Sequence, residues 1–351
     1  MIKVKIGNRI ISHDTQPYII AEVGVNHECS LINAKRLILN AKLGGADCVK
    51  FQTYKAELIA SKFAPAYWDI KKEKTKNQYE LFKQYDHFEF NDYLKLSKFC
   101  KKIKINFAST PFDVQSVDML DKLVNFFKIS SSDITNFPLL KKIASKNKTI
   151  LLSTGASTIK EIEDALKILG RNKSTNIVLM HCILNYPTND FDANLNMIID
   201  LKNKFPNNVI GYSDHTLPSK EMTNITTAYA LGARVIEKHF TLDKKKTGND
   251  HYHSMDINDL KNIKKRIFYL YKIIGNKEKN FINSEKKSRK YARRSLVINR
   301  YVKKNEVVRE SDLICKRPGF GIQPSKIKEI IGKKAKKNLY PDKILKESDF
   351  Y

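Results

Sequence analysis

Eight short apolar runs, each ending in polar residues, alternate with stretches of helical spacing between Tyr18 and Thr241. The runs are YIIAEVG (18–24), CVKFQT (48–53), INFASTPF (105–112), FFKISSSD (126–133), TILLSTG (149–155), NIVLMHC (176–182), VIGYSDHT (209–216) and RVIEKHFT (234–241). Continuous apolar runs of this length read as strands buried on both faces, as in parallel sheets. Helical patterns are expected over about 31–43, 91–102, 138–146, 157–169, 194–204, 220–231 and 257–274, with Ser157 and Glu161 read as a capping box. Eight strands alternating with helices predict an α/β fold, a (β/α)8 TIM barrel over residues 1–275. A doubly wound open sheet is the competing architecture, but no G-x-G-x-x-G follows the first run.

Before the first run, residues 1–16 alternate around Gly7-Asn8 and predict a small hairpin. Residues 54–88 interrupt the alternation with mixed charged and aromatic residues, which suggests a functional loop on one face. A polar stretch at 276–290 reads as a linker, and residues 291–351 as a small β-rich unit with a short helix near 325–331.

The formal net charge is +27. A nucleic-acid or anionic-lipid surface is one explanation. The basic residues are spread along the whole chain, however, so general composition bias is preferred, with neither nucleic acid nor membrane as partner. The five cysteines, at 29, 48, 100, 182 and 315, form no CxxC pair and predict a reducing compartment. No signal-like leader and no run of about 20 apolar residues is seen, so a cytoplasmic location is expected.

The strand exits carry the chemistry. Glu22, Lys50 with Gln52, Lys128, Ser153, His181, Ser213 with His215, and Glu237 with His239 all fall at C-terminal ends, the face where barrel active sites are built. If the runs holding His215 and His239 are neighbouring parallel strands, about 4.8 Å apart, both imidazoles can converge on one divalent metal. Lys50 and Lys128, facing inward beside Ser131 and Ser153, suit a phosphate and a carboxylate. The alternative is that these lysines pair with internal acids such as Glu22 and Glu237. A Schiff-base lysine is a competing chemistry at Lys50 or Lys128.

The motifs AEVGVNH, VKFQT, STPF, FKISSSD, LSTG, HC..NYP, GYSDHT, IEKHFT and GND…SM occur in this order, and SLVINRYVKKNEVVRESDL and KRPGFGI follow. Together they make the chain resemble, over essentially its whole length, the sialic acid synthases, which condense phosphoenolpyruvate with an N-acylated hexose. The last two segments are similar to type III antifreeze proteins, so the resemblance implies an antifreeze-like (SAF) domain after the barrel. It further implies that Lys50, Gln52, Lys128, Ser131, Ser153 and Ser213 hold phosphoenolpyruvate. By the same resemblance His215 and His239 ligate manganese, with magnesium or cobalt as substitutes, and Glu22, Tyr186 and Asp250 contact the amino sugar. Arg317 matches an arginine that enters the partner's active site in a homodimer with swapped C-terminal domains. Glu22, His215 and His239 are the expected catalytic set. N-acetylmannosamine, giving N-acetylneuraminate, is the default acceptor; a 2,4-diacetamido-trideoxyhexose, giving a legionaminate- or pseudaminate-type acid, is the alternative. The chain departs from the family pattern at Leu184, with Asn185 one place on, and in the 54–88 insertion, where Asn77 is the candidate sugar-binding asparagine.

Overall fold

The computed structural model describes residues 2–68, 70–71, 73–170, 176–248, 250–276 and 278–351; Asn249 of the GND motif lies outside them. The chain divides into two compact units, residues 1–275 and 276–351.

The first unit opens with a hairpin of β1 (Lys3–Ile6) and β2 (Arg9–Ser12), paired antiparallel with Lys3 opposite Ser12. Its turn needs Gly7: φ is 55°, and a Cβ there would lie 2.5 Å from the Asn106 amide. The eight expected runs then form β3 (Tyr18–Gly24), β4 (Cys48–Thr53), β5 (Asn106–Pro111), β6 (Phe126–Ile129), β7 (Thr149–Ser153), β8 (Ile177–His181), β9 (Val209–Asp214) and β10 (Val235–His239). They make one sheet in the order β5-β4-β3-β10-β9-β8-β7-β6. Every ladder within it is parallel. The outer strands of that order, β5 and β6, pack side by side and close a barrel. This is the expected TIM-barrel architecture.

Alternation along the strands sorts side chains into two cores. Outward residues such as Ile19, Ala21, Val49, Phe107 and Ile236 pack under the helices. Inward residues Tyr18, Ile20, Cys48, Phe126, Leu151, Val178, Met180 and Val235 fill the barrel's lower interior, sealed below by Val4, Ile6 and Ile11 of the hairpin. The interior above this apolar plug is polar, which places chemistry at the C-terminal face.

Several boundaries differ from the sequence-based expectation. Helix Val114–Asp121, capped by Asp113, was not anticipated; it lies in a connection short enough to read as a turn. The capping box belongs to Thr158, not Ser157: Thr158 Oγ1 accepts from Glu161 N while the Glu161 carboxylate accepts from Thr158 N, and Ser157 Oγ instead donates to Gly155 O. The helices expected from 194 and 220 start at Met197 and Thr223, after Asn194 and Met222 in left-handed conformation. The insertion carries short helices Ala56–Ile59 and Gln78–Tyr85.

In the second unit, helix Lys286–Ala292 begins inside the stretch expected as a linker, 276–290, and runs across its end. Strands β11 (Ser295–Ile298) and β12 (Leu313–Lys316) pair antiparallel over a core that includes Leu296, Ile298, Val302, Val308, Leu339 and Phe350.

One buried ion pair stands out in the barrel wall. Lys238, pointing outward from β10, donates to Asp214 Oδ2 at 2.7 Å and to Thr216 O at 2.6 Å. Asp214 also accepts from Tyr212 Oη, Thr216 N and Thr216 Oγ1. Burial opposes ionisation of Asp214, but Lys238 outweighs it and holds the carboxyl below its ordinary value of 3.8. Lys238→Met is therefore expected to cost about 3–5 kcal/mol, because it leaves a buried carboxylate without its cation. Urea unfolding at neutral pH checks this; a loss under about 1 kcal/mol would contradict it.

Candidate active site

A cavity of about 490 Å³ opens above the apolar plug at the C-terminal ends of the strands. Its floor is set by register. His239 on β10 lies opposite Glu22 on β3, and Glu22 lies opposite Lys50 on β4, so three charged side chains stand in one row. Two residues earlier on β10, Glu237 lies opposite Ser213 of β9 and accepts a hydrogen bond from its hydroxyl at 3.2 Å.

The two lysines are almost wholly buried, Lys50 at 3% and Lys128 at 4% exposure. Lys50 Nζ lies 2.6 Å from Glu22 Oε2 and 3.7 Å from Glu237 Oε1, and donates to Thr110 Oγ1 at 2.8 Å. Lys128 Nζ lies 3.6 Å from the same Glu237 oxygen. Pairing of the lysines with internal acids is thus present, yet both lysines also line the cavity. Burial disfavours charge on Glu237, but Lys128 and Lys50 outweigh it and draw its pKa down to about 2. Glu22 moves the other way: burial, helped by Glu237, lifts its carboxyl above the ordinary value despite Lys50. Burial also works against a charged Lys50, but Glu22 and Glu237 prevail and raise its pKa. Lys50 is therefore held as an ammonium ion, the reverse of what a Schiff-base nucleophile needs.

Hydroxyls surround this charge row. Ser153 Oγ is buried and has no hydrogen-bond partner among the described residues. Ser131 Oγ accepts from Gly155 N at 2.9 Å and lies 2.9 Å from Cys182 Sγ. Gln52 Nε2 donates to Glu22 Oε1 at 3.3 Å. Gln52, Ser131, Ser153 and Ser213 all line the cavity.

The opposite wall carries the imidazoles. His215 and His239 have ring centroids 5.9 Å apart, with the Tyr186 ring 4.2 Å from His215. His215 Nδ1 lies 2.6 Å from Ile183 O. That carbonyl can only accept, so Nδ1 carries the proton and Nε2 keeps its lone pair. Burial, reinforced by His239, lowers the His215 pKa to about 4, so the ring is neutral near pH 7. A neutral imidazole with a fixed tautomer is the form that binds a divalent cation, and His215 meets that description, with the His239 ring beside it. Asp250 Oδ2 lies 3.1 Å from His239 Nδ1. Burial resists charge on both groups; each nevertheless favours charge on the other, raising the His239 pKa and holding the Asp250 carboxyl far below its usual range.

Of the residues singled out from the sequence, Glu22, Lys50, Gln52, Lys128, Ser131, Ser153, Tyr186, Ser213, His215, His239 and Asp250 line this one cavity. Four others do not join them. The His181 ring stacks on Tyr212 and its Nε2 lies 2.9 Å from Ala193 O, away from the cavity. The Asn77 side chain is the N-cap of helix Gln78–Tyr85, accepting from Glu80 N. Leu184 lines the cavity and Asn185 does not. Arg317 is an exposed residue of the second unit, just past β12. Sequence reasoning missed the wall made by Leu58, Ile59, Tyr67, Trp68 and Phe82 of the insertion, and Thr110 beneath Lys50. The mixture of aromatic and charged residues at 54–88 was the available signal.

A family model described as NeuB family matches residues 37–279, and one described as SAF domain matches residues 293–350. The chain is 42% identical over 333 residues to N,N'-diacetyllegionaminic acid synthase of Campylobacter jejuni, covering 94% of this chain and 98% of that one. It is 40% identical over 248 residues to N-acetylneuraminate-9-phosphate synthase of Drosophila melanogaster, covering 70% of this chain and 65% of that one. Among solved structures, an N-acetylneuraminic acid synthetase from Leptospira borgpetersenii in complex with citrate matches with TM-score 0.73 and 33% identity, covering 82% of this chain and 94% of that one.

Proposed function

The chain belongs to the NeuB family, its barrel followed by a SAF domain, and from that premise we propose that it condenses phosphoenolpyruvate with a 2,4-diacetamido-trideoxyhexose, releasing phosphate and forming a nine-carbon legionaminate-type 2-keto acid. The observation that carries the reaction is the single cavity in which two buried lysines, a hydroxyl without a partner and two histidines meet. The diacetamido acceptor, rather than the N-acetylmannosamine taken as default from the sequence, is supported by the Campylobacter relative at 94% coverage. It is also supported by the apolar wall of Leu58, Ile59, Trp68 and Phe82, which suits a methyl or acetamido group better than a hydroxymethyl.

Lys50 and Lys128 neutralise the phosphate and carboxylate of phosphoenolpyruvate, and Ser131, Ser153, Ser213 and Gln52 supply hydrogen bonds that fix its orientation. Bound anions compete with Glu22 and Glu237 for the lysines, and Glu22, whose carboxyl protonates most easily of the two, orients the sugar or takes up a proton. Tyr186 and Asp250 face the sugar. A divalent cation held by His215 and His239, manganese in this reading, would polarise the acceptor aldehyde. C3 of phosphoenolpyruvate bonds to the aldehyde carbon, water adds to C2, and phosphate leaves with the bridging oxygen. Arg317 is assigned to the active site of a partner subunit, in a homodimer with exchanged SAF domains; the resemblance of the KRPG segment supports this.

Phosphoenolpyruvate carrying heavy oxygen in the C2–O–P bridge tests the reaction. Acceptor-dependent release of heavy phosphate is expected, without borohydride-trapped protein. Release without acceptor, or heavy oxygen retained on carbon, would contradict it, and a trapped lysine adduct would favour a Schiff-base aldolase.

A further inference from the structure

One thiol of the cavity wall has no part in the chemistry above. Cys182 is 2% exposed and lines the cavity just past β8. Alternation turns His181 outward onto Tyr212 and Cys182, the next residue, inward. Cys100 and Cys48 are packed in the two apolar cores of the barrel, but Cys182 belongs to neither. Its Sγ lies 2.9 Å from Ser131 Oγ, and the same oxygen accepts from Gly155 N at 2.9 Å.

Three neighbouring strands bring these groups together. Ser131 follows β6, Gly155 follows β7 and Cys182 follows β8, and the three strands are adjacent in the sheet. Their junction is tight: a Cβ on Gly155 would lie 2.8 Å from Cys182 Sγ and 2.9 Å from Ser131 Oγ. A hydroxyl has one proton to give and two lone pairs to fill. Gly155 N fills one lone pair of Ser131 Oγ. The thiol contact can run in either direction, and the ligand decides between them. Sulfur is a weak acceptor, whereas hydrogen bonds to an ionised oxygen are about twice as strong as neutral ones. Once an anion enters, the Ser131 proton turns to it, and the remaining lone pair is open to Cys182 S–H.

We propose that Cys182 is a positioning residue for phosphoenolpyruvate: its S–H donates to Ser131 Oγ, fills the second lone pair, and leaves the Ser131 proton for an anionic oxygen of the substrate. This rests on the placement of Ser131 against phosphoenolpyruvate made above. The donor chain from Cys182 through Ser131 to the anion polarises along its length, which strengthens the bond to substrate without a new contact. A thiol that only filled space would act as a small hydrophobe, replaceable without regard to its proton.

Calorimetric binding of phosphoenolpyruvate to the full chain tests this, with thermal melting to verify that each variant is folded. Cys182→Ala, which has no donor, is expected to weaken binding about fivefold to tenfold, and Cys182→Ser, which keeps one, to stay within about threefold of wild type. In a Ser131→Ala background the Cys182→Ala change is expected to have no further effect, because the two side chains act as a unit. In wild-type protein, the S–H stretching band that Cys182→Ser lacks is expected to move to lower frequency when phosphoenolpyruvate binds. Undiminished binding by folded Cys182→Ala, equal losses in the Ala and Ser variants, additive losses in the double variant, or a band that phosphoenolpyruvate does not move would each overturn the role of Cys182. Ser131→Ala that binds as well as wild type, or wild-type protein that binds no phosphoenolpyruvate, would overturn the placement of the substrate, and this inference with it.

Discussion

Replacing His239 with alanine is expected to cut turnover about a thousandfold and to leave the barrel folded. His239 is one of the two imidazoles assigned to the cation, its ring centroid 5.9 Å from that of His215 and its Nδ1 3.1 Å from Asp250 Oδ2. A cation that polarises a carbonyl contributes several kcal/mol to the transition state, and each 1.36 kcal/mol is about tenfold in rate. The variant also leaves Asp250 without its strongest electrostatic partner, since the nearby imidazole is the main influence holding that carboxyl down against burial. Steady-state phosphate release at saturating substrates, with thermal melting as a folding control, checks the prediction. A folded variant with turnover within tenfold of wild type would remove His239 from the chemistry.

The second large effect is expected at Lys50. Lys50→Met should lower kcat/KM for phosphoenolpyruvate by roughly three orders of magnitude, with the acceptor KM changed far less. Truncating one partner of a buried charge pair costs about 3–5 kcal/mol, and here the same ammonium is the expected counter-ion of the substrate. Without it, Glu22 loses its 2.6 Å partner, and Lys128, 3.6 Å from Glu237, is the one lysine left beside the two carboxyls. A pH signature follows. In the wild type the depressed Glu237 pKa, about 2, makes its contribution to stability fully present above the ordinary value of 4.5 and lost only as pH falls through 2. In Lys50→Met the carboxyl rises toward its ordinary value, so the variant's stability deficit should be largest at neutral pH and shrink as pH falls from 4.5 toward 2. A deficit independent of pH would mean that lost packing, not charge, explains the variant.

The architecture was legible because parallel barrel strands are buried on both faces, and an apolar run ending in charge leaves little freedom about which end is open. All eight runs became strands, and the polar exits of seven of them meet in the cavity. His181 shows where that reasoning fails: it too ends a strand, but a one-residue alternation turns its ring outward onto Tyr212, where a backbone carbonyl satisfies it. Strand position alone does not distinguish inward from outward until register is known. Asn77 failed for a local reason, because an asparagine before a helix is consumed as its cap. The insertion wall was invisible in detail since its aromatics have no periodicity, only a shared destination.

A competition between acceptors in one vessel tests the central claim most directly. Phosphoenolpyruvate, Mn2+ and the protein would be incubated with equal concentrations of N-acetylmannosamine and a 2,4-diacetamido-trideoxymannose, and the nine-carbon acids counted by mass spectrometry. The expected result is a large excess of the diacetamido product, with one phosphate released per acid formed. Predominant N-acetylneuraminate would contradict the acceptor assignment while keeping the condensation. Phosphate release with neither acid formed would contradict the condensation itself.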